Sequence, residues 1–284
     1  MSARFAAALV MVSAYCSAAR AAQSVFQWAA EVTKEDGKAI TAYLWVAPAT
    51  ERVRGVFIGA ETEPAQDPAV RQACAAEKLA IIQFRPHIDA IFNYKTGKGP
   101  ELFQKVLDAL AAASGYREIA QAPFFTFGHS TSCNYATAAA CWKPTRCFGL
   151  LVHKGGLVLP SYDPEADISG IPILAVKGQF EEFGPGPSGV LRDYEDRETG
   201  WKASREHYLK LRGQNERMLI SLIVEAGTTH MAWSALDGEY LALFLRKAAQ
   251  ARIPDWPVDA AEPAKCREID VASGALTTTA ITNP

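Results

Sequence analysis

The chain has 284 residues, 49% hydrophobic and 21% charged, which is enough apolar material to bury a large core in one α/β domain. Its formal net charge is −2 with no long Lys/Arg run, which excludes a dedicated nucleic-acid surface built on phosphate neutralisation. Beyond the N-terminus no stretch is apolar and long enough to span a bilayer, so no stable membrane insertion is expected.

Arg4 precedes the short apolar run "FAAALVMVSAY", and small residues follow at Ala19 and Ala21. This order reads as a secretory signal peptide over residues 1–22, so the mature chain is expected to be secreted or periplasmic. Export permits disulfides. Without Cys16 five cysteines remain: Cys74, Cys133, Cys141, Cys147 and Cys266. An odd set leaves at least one unpaired within the chain. Cys141 and Cys147 flank "WKPTR", a turn-like stretch across which a bridge is feasible. None of the five has Cys-x-x-Cys spacing.

The stretch "VFQWAAEVTKEDGKAITAYLWVA" holds two β-rich runs around Asp36-Gly37, a hairpin signal. "RVRGVFIGA" reads as a buried strand, "PAVRQACAAEKL" as a helix and "AIIQFRP" as a strand. "PELFQKVLDALAAASG" is amphipathic, with Leu102, Phe103, Val106, Leu107 and Leu110 on one face, Pro100 at its start and Gly115 at its end. "APFFTFG" reads as a strand and residues 132–142 as a helix. "CFGLLVHKGG" and "IPILAVKG" are strands with little alternation, as expected where both faces are covered. "SREHYLKLRG" is a helix, "MLISLIVEAG" a strand, and "GEYLALFLRKAAQ" a closing helix with Asp237 placed to cap it.

A hairpin followed by alternating strands and helices predicts an α/β fold: a mostly parallel sheet with an N-terminal antiparallel pair and helices on both faces. The domain is expected over 23–253, with a loosely packed Pro/Ala/Thr-rich tail at 254–284. In such sheets ligands bind beyond the carboxyl ends of the strands. The loops at 154–170 and 183–200 are the candidate pocket walls. Trp201, Trp233, Tyr94 and Phe183 lie in or beside pocket loops and are read first as core.

At one strand end stands Gly128-His129-Ser130-Thr131-Ser132, a glycine and a serine on a strand-to-helix turn. This resembles the nucleophile elbow of the α/β-hydrolase fold, with Ser132 where that pattern has its second glycine. The resemblance covers residues 25–250 by element order, and motifs carry it at three points.

A serine hydroxyl needs a base, and the base an orienting acid. The resemblance implies Ser130 as nucleophile and His230, in Gly227-x-x-His230 after the last strand, as base. It implies Glu181, three residues after Gly178, as the acid, with Glu182, Asp193 and Asp196 as alternatives. The amides of Thr131 and Ala60 are the implied oxyanion hole, although Ile58 stands where the family usually has histidine. His129 should point away from the nucleophile and shape the pocket. His87 and His153 follow strands as possible lining residues, and His207 is a surface or packing residue.

"GPGPSG" at 184–189 fits a dinucleotide fingerprint only by letters, since Pro185 and Pro187 remove the needed amides and no helix follows. "KTGKG" at 95–99 lacks the first glycine of a P-loop. No metal-ligand spacing is present, so neither cofactor nor metal is implied. The expected function is therefore an exported serine hydrolase acting on a small-molecule ester. The alternatives are a non-catalytic ligand-binding protein and a peptidase on the same fold.

Overall fold

The structure, a computed structural model, describes residues 26–34, 36–59, 62–85, 99–160, 163–180, 200–255 and 262–270. The expected signal peptide, Ala60, His87, Tyr94, and the stretch with Glu181, Glu182, Phe183, Asp193 and Asp196 lie outside the described residues.

The hairpin joins β1 (Trp28–Thr33) to β2 (Ala39–Trp45), with Trp28 opposite Leu44 and Thr33 opposite Ala39. Its turn uses Gly37 at φ 79°, a left-handed conformation that costs glycine little, and Asp36 accepts a hydrogen bond from the Lys38 amide at 3.1 Å. Six further strands follow: β3 (Gly55–Gly59), β4 (Leu79–Arg85), β5 (Phe124–His129), β6 (Cys147–His153), β7 (Ile173–Phe180) and β8 (Ile220–Thr229). They form one eight-stranded sheet in the order β1-β2-β4-β3-β5-β6-β7-β8. Only the β1–β2 and β2–β4 pairs are antiparallel. Strands β3 and β6 are buried along their whole length, which explains their unbroken apolar runs.

The helices are α1 (Thr62–Gln66), α2 (Pro68–Ala76), α3 (Pro100–Ser114), α4 (Ser132–Trp142), α5 (Trp201–Gln214) and α6 (Ala235–Arg252). Their ends follow local chemistry. Asp67 caps α2 by accepting from the amides of Ala69 and Val70, ahead of Pro68 at the first helical position. Helix α3 stops at Gly115, φ 80°. The apolar face expected on α3 is buried at Phe103, Val106, Leu107 and Leu110. Phe103 there packs edge-on against Trp142 at 5.3 Å between ring centroids, and each such buried ring contributes roughly 2–3 kcal/mol through burial.

Three details differ from the sequence reading. Asp237 is not the N-cap of α6. Ser234 is, and Asp237 closes a capping box by accepting from the Ser234 amide. Cys141 and Cys147 are not bridged: one lies near the end of α4, the other inside the sheet with Sγ turned to the Gly149 carbonyl. Residues 262–270 pack back on the body, with Ala264 and Cys266 buried. The amides of Ala264, Cys266 and Arg267 bond to the carbonyls of Gln121, Thr145 and Arg252.

Candidate active site

The turn after β5 enters α4 within two residues, and Ser130 sits on it at φ 53°. A non-glycine residue rarely adopts this conformation, which costs about 1–3 kcal/mol, so neighbouring contacts must hold it. They do: the Ser130 amide donates to the His153 carbonyl at 2.9 Å, and the Ser130 carbonyl accepts from the Cys133 amide at 3.1 Å.

Gly128 is required by space, since a Cβ there would overlap the Ser132 carbonyl. Gly155, at the start of the loop after β6, is required similarly, because a Cβ would overlap Cys133 Sγ and the Ser130 carbonyl. Ser132 has no positive φ, so a side chain fits where the elbow pattern has its second glycine. The close approach on that side is met by Gly155 instead.

The loop after β8 brings His230 to this serine. The two residues are 100 positions apart in sequence, yet His230 Nε2 lies 2.8 Å from Ser130 Oγ. The hydroxyl can donate to that nitrogen, which leaves the ring proton on Nδ1. Both residues line a cavity of about 430 Å³. Thr131, Asn134, Lys177, His207 and Tyr208 also line it, and His207 on α5 is the surface residue the sequence suggested, exposed at the edge of this cavity. Thr131 begins the entry to α4, and its amide takes part in no hydrogen bond among the described residues.

A second polar cluster lies behind the elbow. His129 Nδ1 is 2.9 Å from His153 Nδ1, and His153 Nε2 is 3.0 Å from Asp237 Oδ1. His153 and Asp237 are each only 2% exposed. Burial opposes ionisation of Asp237, yet its carboxyl sits below the ordinary value. The His153 hydrogen bond, the Ser234 amide and Lys154 outweigh the burial.

Lys154, 1% exposed at φ 50°, donates Nζ to the Ala232 carbonyl and faces Glu225 at 3.6 Å and Asp237 at 3.9 Å. Ser234 Oγ bonds to Glu225. Trp233 packs on Phe127 and His153 and donates Nε1 to Asp67 at 3.3 Å, so it is core. The His129 ring centroid lies 5.2 Å from that of His230.

The structure thus brings together Ser130, Thr131 and His230, while Ala60 and Glu181 lie outside the described residues. His129 turns inward behind the elbow instead of lining the cavity, and His153 is sealed beneath it. The pairing of His153 with Asp237 escaped sequence reasoning. Its only trace was Asp237 near a helix start, where a cap explains it.

No family model matches the chain, and no curated protein matches it in sequence. Among solved structures it is similar to the siderophore hydrolase EstA from Aspergillus nidulans, with TM-score 0.51 and 11% identity over 77% of this chain and 93% of that one. It is likewise similar to the siderophore hydrolase EstB from Aspergillus nidulans, with TM-score 0.50 and 13% identity over 84% of this chain and 96% of that one. At such identities the likeness speaks to architecture. With the strand order and the serine-bearing turn after β5, it shows that this chain has the α/β-hydrolase fold.

Proposed function

We propose that the chain is an exported serine hydrolase that cleaves small carboxylic esters. The observation that carries this reading is the 2.8 Å contact between Ser130 Oγ and His230 Nε2 at the wall of an open cavity. Ser130 Oγ attacks the acyl carbon while His230 Nε2 takes its proton, then passes it to the departing alkoxide. Water repeats the sequence on the acyl-enzyme and releases the acid. Glu181, the residue after β7, is the acid that holds the His230 proton on Nδ1. The amides of Thr131 and Ala60 receive the oxyanion.

A cavity near 430 Å³ is at the small end of ligand pockets, and its wall mixes apolar surface from Leu157 and Val158 with polar groups of Asn134, Lys177, Ser204 and His207. The size favours short esters over long acyl chains. The two structural neighbours, both siderophore hydrolases, agree with this reading. Export rests on the N-terminal segment and is tested by the N-terminal sequence of protein recovered outside the cytoplasm.

The test of activity is labelling by a fluorophosphonate probe and turnover of p-nitrophenyl acetate. Wild type should be labelled and active, and Ser130→Ala neither. An unlabelled wild type whose melting point rises with ligands it never turns over would make this a binding protein.

A further inference from the structure

We infer that Asp237 and His153 are positioning residues that set the tautomer of His129, and through it the field in which His230 acquires its charge. The inference rests on the reading of Ser130 and His230 as nucleophile and base.

A carboxylate only accepts hydrogen bonds, so the His153 nitrogen 3.0 Å from Asp237 Oδ1 carries the proton: it is Nε2–H. A neutral imidazole has one N–H, which leaves His153 Nδ1 as an acceptor. Its partner at 2.9 Å, His129 Nδ1, must then donate. His129 is therefore held as the Nδ1–H form, the reverse of the tautomer that neutral histidine favours in water. The assignment passes from a carboxylate through two rings to a third, since His129 lies beside His230 with 5.2 Å between centroids.

The cluster also carries charge. Asp237 and Glu225 face the single ammonium of Lys154, and none of the three is more than 5% exposed. Asp67, beyond Trp233, adds a further carboxylate from the α2 side. Opposite charge nearby favours a protonated imidazole, and little water is present to screen it. The imidazolium that forms on His230 during attack acquires its charge near these carboxylates, with the buried Lys177 ammonium on the same cavity wall, and Asp237→Asn removes one of the carboxylates.

The isosteric change Asp237→Asn removes the charge and reverses the order of donors together. Asp237 Oδ2 accepts from the Ser234 amide, so the oxygen of an asparagine belongs there. Its NH₂ then faces His153 Nε2, which must become an acceptor. His153 takes its proton on Nδ1 and donates to His129 Nδ1, and His129 moves its own proton to Nε2.

Long-range ¹H–¹⁵N correlations of the histidine rings read these states directly. In wild type we expect His153 as Nε2–H and His129 as Nδ1–H. In Asp237→Asn both should be reversed, and fluorophosphonate labelling of Ser130 should slow about tenfold. Ser234→Ala removes the other half of the capping box and keeps the carboxylate. It should lower the melting temperature and leave the His129 tautomer as in wild type. The inference is overturned by Nε2–H on His129 in wild type, by unchanged tautomers in Asp237→Asn, by a reversal in Ser234→Ala, or by an unchanged labelling rate. The tautomers are read without turnover, so an unlabelled wild type sinks the esterase reading and the catalytic half of the inference, while the positioning half is decided by the spectra alone.

Discussion

Lys154 Nζ donates to the carbonyl oxygen of Ala232, two residues beyond His230. A fully buried side chain at the end of β6 therefore tethers the loop that carries His230. Lys154→Met keeps most of the volume but removes the ammonium between Glu225 and Asp237. Breaking a buried ion pair on one side costs about 3–5 kcal/mol, because the remaining charge has no partner. Urea denaturation should show that loss, and labelling of Ser130 should fall with it as the His230 loop is released. An unchanged midpoint would mean that the two carboxylates do not depend on this lysine.

Strain at the elbow predicts a trade between stability and activity. Ser130→Ala should lower ester hydrolysis at least about 10³-fold, with the fold intact. Ser130→Gly should lose activity equally, yet glycine relaxes at φ 53° where serine is held. Its melting temperature should exceed that of Ser130→Ala, by an amount equivalent to about 1 kcal/mol. Equal melting points would show that the turn stores no strain.

Gly128→Ala tests space rather than conformation. An added methyl would overlap the Ser132 carbonyl, which is backbone and cannot swing aside. The entry to α4 must shift, and with it Ser130. Expected results are a loss of about 1–3 kcal/mol and a drop in kcat larger than any change in KM.

The Asp237 carboxyl lies below its ordinary 3.8 in the folded chain. A depressed acid contributes stability that is present above 3.8 and is lost as pH falls through the folded value. Wild type should therefore show its full melting advantage over Asp237→Asn at pH 5–7, and that advantage should shrink below about pH 4. An advantage that persists unchanged at pH 3 would contradict the lowered Asp237 carboxyl and the hydrogen bond from His153 that lowers it.

Burial pushes the Cys266 thiol up to about 11 and the Cys141 thiol up to about 12, from an ordinary 9.0. Cys74 and Cys147 are raised further. Folded protein at pH 8 should leave these thiols unreactive toward a disulfide reagent, and denatured protein should react. Raised values favour the folded state while the thiols stay protonated, so stability should decline as pH climbs from about 9 toward 11. Rapid reaction of the folded chain at pH 8 would place one of them at the surface.

The succession of strands and helices along the chain, the Asp36-Gly37 turn, the face of α3 and the serine at the corner were legible because each rests on neighbours in sequence. Ser130 and His230 could be chosen because strand ends are where open sheets bind ligands. Helix α1 escaped, since five residues show no period. The His129–His153–Asp237 line escaped for a deeper reason. It joins residues 24 and 84 positions apart, and what matters is which ring nitrogen meets which, a property of packing alone. Asp237 also had a sufficient local explanation at the helix start, which concealed its second contact.

Helix α6 runs from Asp237 near its start to Arg252 at its end, where the guanidinium bonds to the carbonyls of Gly170 and Cys147. It is the last helix described, so a ribosome delivers serine and imidazole before the element that seats them. A nascent chain halted at that moment carries both reactive groups but lacks the underside that aligns them. The buried line beneath the elbow is completed late in synthesis, when the closing helix brings Asp237 to His153.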